Sequence, residues 1–329
     1  MQAAEKQTVS LRAIDGRLAN LQIVARHADS PASAEAASAL IELLDAAGCG
    51  ISAASRVVEN APTDSHLAFE SDLPGIAKLD GITVTRLRSF YPVVRSQLPG
   101  LDLALLSAAS PAIDDATIDA ACLYARRFGR HQIDVVPPSQ GVAQVVEDID
   151  RRLDDWRERY PDLEFSTVPV ARLIGEFAAG KGKVDVVVAP PVFADILAEV
   201  AGVMSGAASL ATRSHFDKGR ITVSANDKGH DVAPAAGMIL GAADLLVWLG
   251  RSDASGRLIR GWARTLEHGC HTPEFRVMSP YSSRLDAQEF IAVVGSRLDD
   301  TPRTLDLQLP GKPSATKPAP GRHLRLVAD

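Results

Sequence analysis

Val184-Asp-Val-Val-Val-Ala-Pro-Pro-Val-Phe-Ala-Asp-Ile-Leu-Ala-Glu199 is the stretch whose reading decides the fold. Its first six residues are short, β-branched and apolar apart from Asp185, which is the pattern of a strand buried on both faces. Pro190 and Pro191 close the strand, and a helix is expected from Phe193. A strand buried on both faces and followed at once by a helix belongs in a sheet with helices on either side.

The same alternation runs outward in both directions. Upstream, Leu21–Ala25 reads as a strand. The next stretch opens a helix that Asp29 or Ser30 can cap, with Pro31 in its first turn and Gly48 at its stop. Leu101–Leu106 is a strand, Ala116–Phe128 a helix ended by Gly129, and Gln132–Val136 a strand closed by Pro137-Pro138. Val145, Ile149, Leu153 and Trp156 recur at helical spacing within a helix over 142–160, before a short strand at 163–165. Downstream, helices are expected over 234–249, 254–268 and 285–298, with Trp248 in the core. The fold class expected is α/β, a mostly parallel sheet flanked by helices in two lobes, 21–95 with 234–300 and 96–233. Residues 1–20 read as a mobile lead-in, and 301–329, rich in Pro, Gly and Lys, as a disordered tail.

Composition narrows the function. The 329 residues carry a net charge of −6, against the basic excess that nucleic-acid binding favours. Three scattered cysteines make neither a disulfide framework nor a C-x-x-C metal site. No apolar run reaches the roughly 18–20 residues of a membrane span. The nearest, 235–250, is interrupted by Asp244. A cytoplasmic chain without nucleic-acid or membrane partners is expected.

Seven segments, in order, resemble the isocitrate/isopropylmalate dehydrogenase family of β-decarboxylating dehydrogenases. The opening stretch is similar to that family's T-x-N-x-F-G-D-I-L-S-D helix start. Pro234–Gly250 resembles its N-P-x-A-x-I-L-S helix, Gly269–Phe275 its G-x-x-T-x-D-L turn, and Gln288-Glu-Phe290 its S-E-F. Pro99–Leu103, Tyr124–Arg127 and Tyr160–Phe165 follow the same order, so the likeness covers roughly 21–300. It implies that family's fold, and a reaction in which NAD(P) oxidises a 2-hydroxy acid that then decarboxylates on Mg²⁺ or Mn²⁺.

Carried over residue by residue, the resemblance implies Asp195 and Glu199 as metal carboxylates, i and i+4 on one helix face. It implies Arg86, Arg88 and Arg95 as a grip on substrate carboxylates. Other positions depart. The third metal aspartate, lent by a partner subunit in the family, falls on Ala171, and the lysine base falls on Pro138, which has no proton to give. The tyrosine-bearing stretch becomes Ser107-Ala-Ala-Ser-Pro111, and the arm that clasps a partner subunit is absent. The first glycine loop becomes Ala28–Glu35, and the adenosine loop shrinks to Thr222–Val232, so the cofactor-binding residues are unknown.

Each feature also has a plainer reading. Asp195 suits a helix start by itself with Glu199 solvated, and three arginines in ten residues suit a solvated strand edge. His215, His230-Asp231 and His271 lack ligand spacing, Lys228-Gly229 reads as a turn, and Cys270-His271 lies in a turn assigned to structure. Two functions follow. The first is a non-catalytic binding or regulatory subunit, without cofactor, in a homodimer or in a hetero-oligomer with a related dehydrogenase, with a small carboxylate as ligand. The alternative is an active NAD(P)- and divalent-metal-dependent dehydrogenase or decarboxylase, its site rebuilt from Asp195, Glu199 and histidines of 215–231.

Overall fold

The computed structural model describes residues 8–12, 18–25, 31–49, 52–54, 67–73, 79–91, 93–110, 112–138, 143–181, 184–226, 234–275 and 282–305. The chain opens with β1 (Thr8–Arg12), β2 (Leu18–Ala25), α1 (Pro31–Ala46), β3 (Ser52–Ala54), β4 (Leu67–Asp72) and β5 (Ile82–Arg88). Then strand and helix alternate: β6 (Asp102–Ala108), α2 (Asp115–Phe128), β7 (Gln132–Val135), α3 (Ala143–Arg159), β8 (Glu164–Thr167), α4 (Val170–Ala178), β9 (Val186–Val188) and α5 (Pro191–Ser205). A hairpin of β10 (Thr212–Asp217) and β11 (Arg220–Ala225) leads to α6 (Ala235–Trp248), α7 (Ser252–Glu267), β12 (Cys270–His271), β13 (Ser283–Arg284) and α8 (Ala287–Gly295).

Local chemistry accounts for the boundaries. Asp114 accepts the Thr117 N–H at the start of α2, and Gly129, at φ 66°, closes it. Asp286 and Glu289 form a reciprocal capping box on α8. The Pro190–Pro191 pair starts α5. Asp29 and Ser30, expected to cap α1, lie outside the described residues.

The expected α/β architecture stands. Eleven strands form one sheet in the order β3-β1-β2-β4-β11-β10-β5-β6-β9-β7-β8. It is mixed. The end that alternates strand with helix, β6-β9-β7-β8, is parallel, and the pairings from β3 through β6 are antiparallel. β6 leads into α2 through residues 109–114, with no arm between them. The sheet runs unbroken across the expected lobe boundary, because β5 pairs with β6 and β4 with β11.

Two expectations at the chain ends are corrected. The lead-in holds β1 and the start of β2, paired antiparallel with Thr8 opposite Gln22. Thr-Val-Ser-Leu-Arg alternates polar and apolar residues, a strand signal too short to stand out beside charged neighbours. Within the tail, residues 301–305 pack on the body and Leu305 is buried. Residues 306–329 lie outside the described residues.

Alternate residues of each strand enter different cores, as the pleat requires. Ala104 and Leu106 of β6 join Ile82 and Val84 of β5 beneath α1, α2, α3, α6, α7 and α8. Leu103 and Leu105 join Leu87 and Val187 beneath α4 and α5. The first core is centred on α6, every residue of which is buried. Gly237 makes this possible: a Cβ there would stand 2.8 Å from the Cβ of Ala225 on β11. Trp248 lies in this core with Tyr124, Phe128 and Phe216 around it.

Candidate functional site

The strand alternation of β5 decides where the candidate arginines go. Arg86 and Arg88 share a face with Ile82 and Val84, so both enter the α6 side and are buried, at 7% and 8% exposure. They are neither a solvated strand edge nor an open anion pocket, because β5 is an interior strand and both guanidiniums have carboxylate partners. Arg86 grips Asp102 through Nε (3.0 Å) and Nη2 (3.1 Å) and reaches Asp244 through Nη1 at 2.7 Å. Arg88 donates to the same Asp244 oxygen. Thr212 donates to the other one at 2.8 Å.

A third arginine extends the network. Arg130, just past the α2 cap, lies 2.7 Å from Asp102 and 2.7 Å from Asp185, and also donates to the Asp102 carbonyl. Asp185 accepts the backbone N–H groups of His131 and Gln132 as well. Three guanidiniums and three carboxylates thus link β5, β6, β9, β10, α2 and α6. Burial works against the charges of Arg86, Arg88, Arg130 and Asp102, and the partners decide the outcome. Arg130 and Arg86 hold the Asp102 carboxyl far below the usual carboxylate range, and Asp102 with Asp244 pushes Arg86 up. Arg88 is pulled down by burial and by Arg86 beside it. Tyr124 lies in the same charged surroundings. Burial raises its phenol to about 12, and its hydroxyl has no hydrogen-bond partner among the described residues.

Asp195 and Glu199 stand on the opposite side of the sheet. They lie on α5, whose buried residues Ala194, Leu197 and Ala201 pack with Leu87 and Val187. Both carboxylates are exposed. Asp195 lies 3.7 Å from Arg213, which alternation places on the face of β10 away from Thr212 and Phe216. His215 follows on that face and shares a 3.1 Å hydrogen bond with Thr83 of β5.

Arg95 is exposed, near the other end of α5. Its carbonyl abuts Gly206, the left-handed cap of that helix, where a Cβ would come within 2.2 Å. At about 1.5 Å rise per residue, the eleven residues from Asp195 to Gly206 put roughly 16 Å of helix between them.

The carboxylate pair is one short of the three carboxylates that the resemblance implies for a divalent ion. Mg²⁺ and Mn²⁺ take six oxygen ligands, commonly one or two carboxylates with waters and substrate oxygens. Here two carboxylates are present, one already faces a guanidinium, and exposed Ala171 on α4 stands where the third is expected. Among the described residues no group of three His, Cys, Asp or Glu could hold a metal ion. Pro138 follows β7, where the lysine base is expected. His230, Asp231, Lys228 and Gly229 lie outside the described residues. His271 is largely buried against Phe275, and Cys270 is half-buried. Of the described helices, none is long and apolar enough to cross a membrane.

Comparison with known proteins places this geometry. No protein-family model matches the chain. The chain is 30% identical over 163 residues to an NADP isocitrate dehydrogenase of Rickettsia typhi, covering 47% of this chain and 33% of that one. It is 29% identical over 127 residues to the Rickettsia felis enzyme, covering 37% and 26%. It is 23% identical over 158 residues to subunit 1 of the mitochondrial NAD isocitrate dehydrogenase of Saccharomyces cerevisiae, covering 45% and 44%. The matches therefore span a quarter to less than half of these relatives. The fold matches isocitrate dehydrogenase from Methylococcus capsulatus at TM-score 0.60 and 15% identity, over 80% of this chain and 96% of that one. A protein of Thermus thermophilus matches at TM-score 0.61 and 16% identity, over 98% and 77%.

Proposed function

From the premise that this chain is isocitrate/isopropylmalate dehydrogenase-like, in fold and, over part of its length, in sequence, we propose that it is a non-catalytic binding or regulatory subunit. It uses the scaffold without the chemistry. Its partner is a second copy or a related dehydrogenase subunit, and any ligand is a small carboxylate.

The observation that carries this reading is the position of the sheet between the two candidate charge sets. Oxidation followed by metal-assisted decarboxylation needs guanidiniums, metal and base around one substrate. Arg86 and Arg88 are buried beneath α6 with Asp102 and Asp244, whereas Asp195 and Glu199 face outward from α5. A substrate on α5 is cut off from both arginines by the sheet. Pro138 offers no base, and Asp195 is already matched by Arg213.

One observation favours the active alternative: Arg213 and His215 share a face of β10 with Asp195 beside it. That site would still need NAD(P) and Mg²⁺ or Mn²⁺. Calorimetric titration with NAD, NADP, Mg²⁺ and Mn²⁺, alone and with isocitrate or isopropylmalate, separates the two. The subunit reading expects no saturable dinucleotide binding. Micromolar binding of either dinucleotide overturns it.

A further inference from the structure

Between α1 and α8 lies a groove of about 240 Å³, lined by Glu35, Ser38, Ala39 and Glu42 of α1 and Gln288 of α8. The four α1 residues follow one another at three, one and three positions, so they form one stripe on a single helix face. Glu35 and Glu42 are exposed, and neither makes an ion pair among the described residues. At about 1.5 Å rise per residue, the two carboxylates stand roughly 10 Å apart along the groove. A concave surface lined by one sign of charge draws in the opposite sign.

The course of the chain supplies that charge. Leu305 is buried, with its N–H on Glu267 at the end of α7. The start of α8 is tied to the same end, because the Ser283 N–H donates to the Gly269 carbonyl and the Leu285 N–H to that of His271. Gln288 follows three residues later, so the chain beyond Leu305 leaves the body at the end where the groove begins. Residues 306–329 carry Lys312, Lys317, Arg322 and Arg325 against Asp306 and Asp329, a basic segment in a chain of net charge −6. At up to about 3.3 Å per residue, Lys312 reaches roughly 23 Å from Leu305 and Lys317 roughly 40 Å. A tethered segment also meets its site at an effective concentration on the order of millimolar, ahead of a free ligand of the same charge.

We propose that the segment 306–329 docks in the groove between α1 and α8, with Lys312 and Lys317 against Glu35 and Glu42. The segment is a tethered cover: a cationic ligand or partner enters the groove only by displacing it, and salt loosens it. Docking of this kind involves no metal, dinucleotide or substrate, and it holds whether or not the subunit reading does.

The test uses the full chain. A water-soluble carbodiimide joins an amine to a carboxylate in contact with it, and peptide mass spectrometry maps the bonds formed within single copies. At low salt, bonds from Lys312 or Lys317 to Glu35 or Glu42 should outnumber those to exposed Glu158 and Asp253 by about fivefold or more. The excess should vanish in about 1 M salt, where charges are screened within about 3 Å. Glu35→Lys/Glu42→Lys should abolish these bonds, and adding Lys312→Glu/Lys317→Glu should restore them with amine and carboxylate exchanged. Circular dichroism melts establish that each variant is folded. Bonds spread evenly over the exposed carboxylates overturn the proposal. So do bonds found only between two copies, or an exchanged-charge variant that forms none.

Discussion

The two faces of β5 and β10 carry similar residue types to opposite ends. Toward α6, Arg86, Arg88 and Thr212 meet carboxylates in a water-excluded core, where a partner is a condition of burial. Toward α5, Arg213 and His215 meet Asp195 and Thr83 near solvent, where pairing is optional and worth little. A residue type named by a motif is therefore not yet a function. Arginines at the right spacing become stitching or ligand grips according to the face of the strand that carries them.

Substitutions on the two sides sharpen this contrast, and the largest effect belongs to the buried side. Asp102→Asn leaves Arg86 and Arg130 short of a counter-charge and should cost about 4 kcal/mol in urea denaturation. The same residue contributes to the acid limb of stability. Its carboxyl is held below its unfolded value, so its contribution is complete above about pH 4. It fades as the pH falls further, and Asp102→Asn should flatten that part of the profile.

Next comes Glu267, at the end of α7. It accepts N–H groups from Arg303, Thr304 and Leu305 and donation from Arg264. Burial acts against its charge, but these donors hold it down at about 2. Glu267→Ala should cost about 3 kcal/mol and release residues 303–305 to fast hydrogen exchange. The anchor should persist from neutral pH down through 4 and loosen as the pH approaches 2.

A smaller effect, of opposite sign, is expected at Tyr124. Its hydroxyl is buried without a partner among the described residues, so Tyr124→Phe should be neutral or stabilise by up to about 1 kcal/mol. Asp195→Asn should change stability least, by about 0.5 kcal/mol or less, because its pair with Arg213 is exposed on both sides. Equal costs for Asp102→Asn and Asp195→Asn would erase the distinction between the faces.

Much of this was legible in the sequence. The strand at 184–189 and the helices after it stand where the apolar runs put them, because periodicity reports burial directly. Asp244 and Asp185 were visible as lone charges inside apolar stretches. Asp244 is buried and Asp185 half-buried, and a charge so placed needs a partner. What periodicity could not give was the identity of those partners, because Arg86 and Arg88 are distant from Asp244 in the chain and Arg130 from Asp185. The β10–β11 hairpin was hidden for a related reason. Its polar face, Arg213, His215 and Thr222, reads like a loop until β5 is laid beside it.

The central claim is that no substrate can join the α5 carboxylates to the arginines beneath α6. The most direct measurement is a calorimetric titration of Mn²⁺ into the wild-type chain in saturating isocitrate. No saturable binding tighter than about 1 mM is expected. A micromolar Mn²⁺ site that Asp195→Asn abolishes would contradict it.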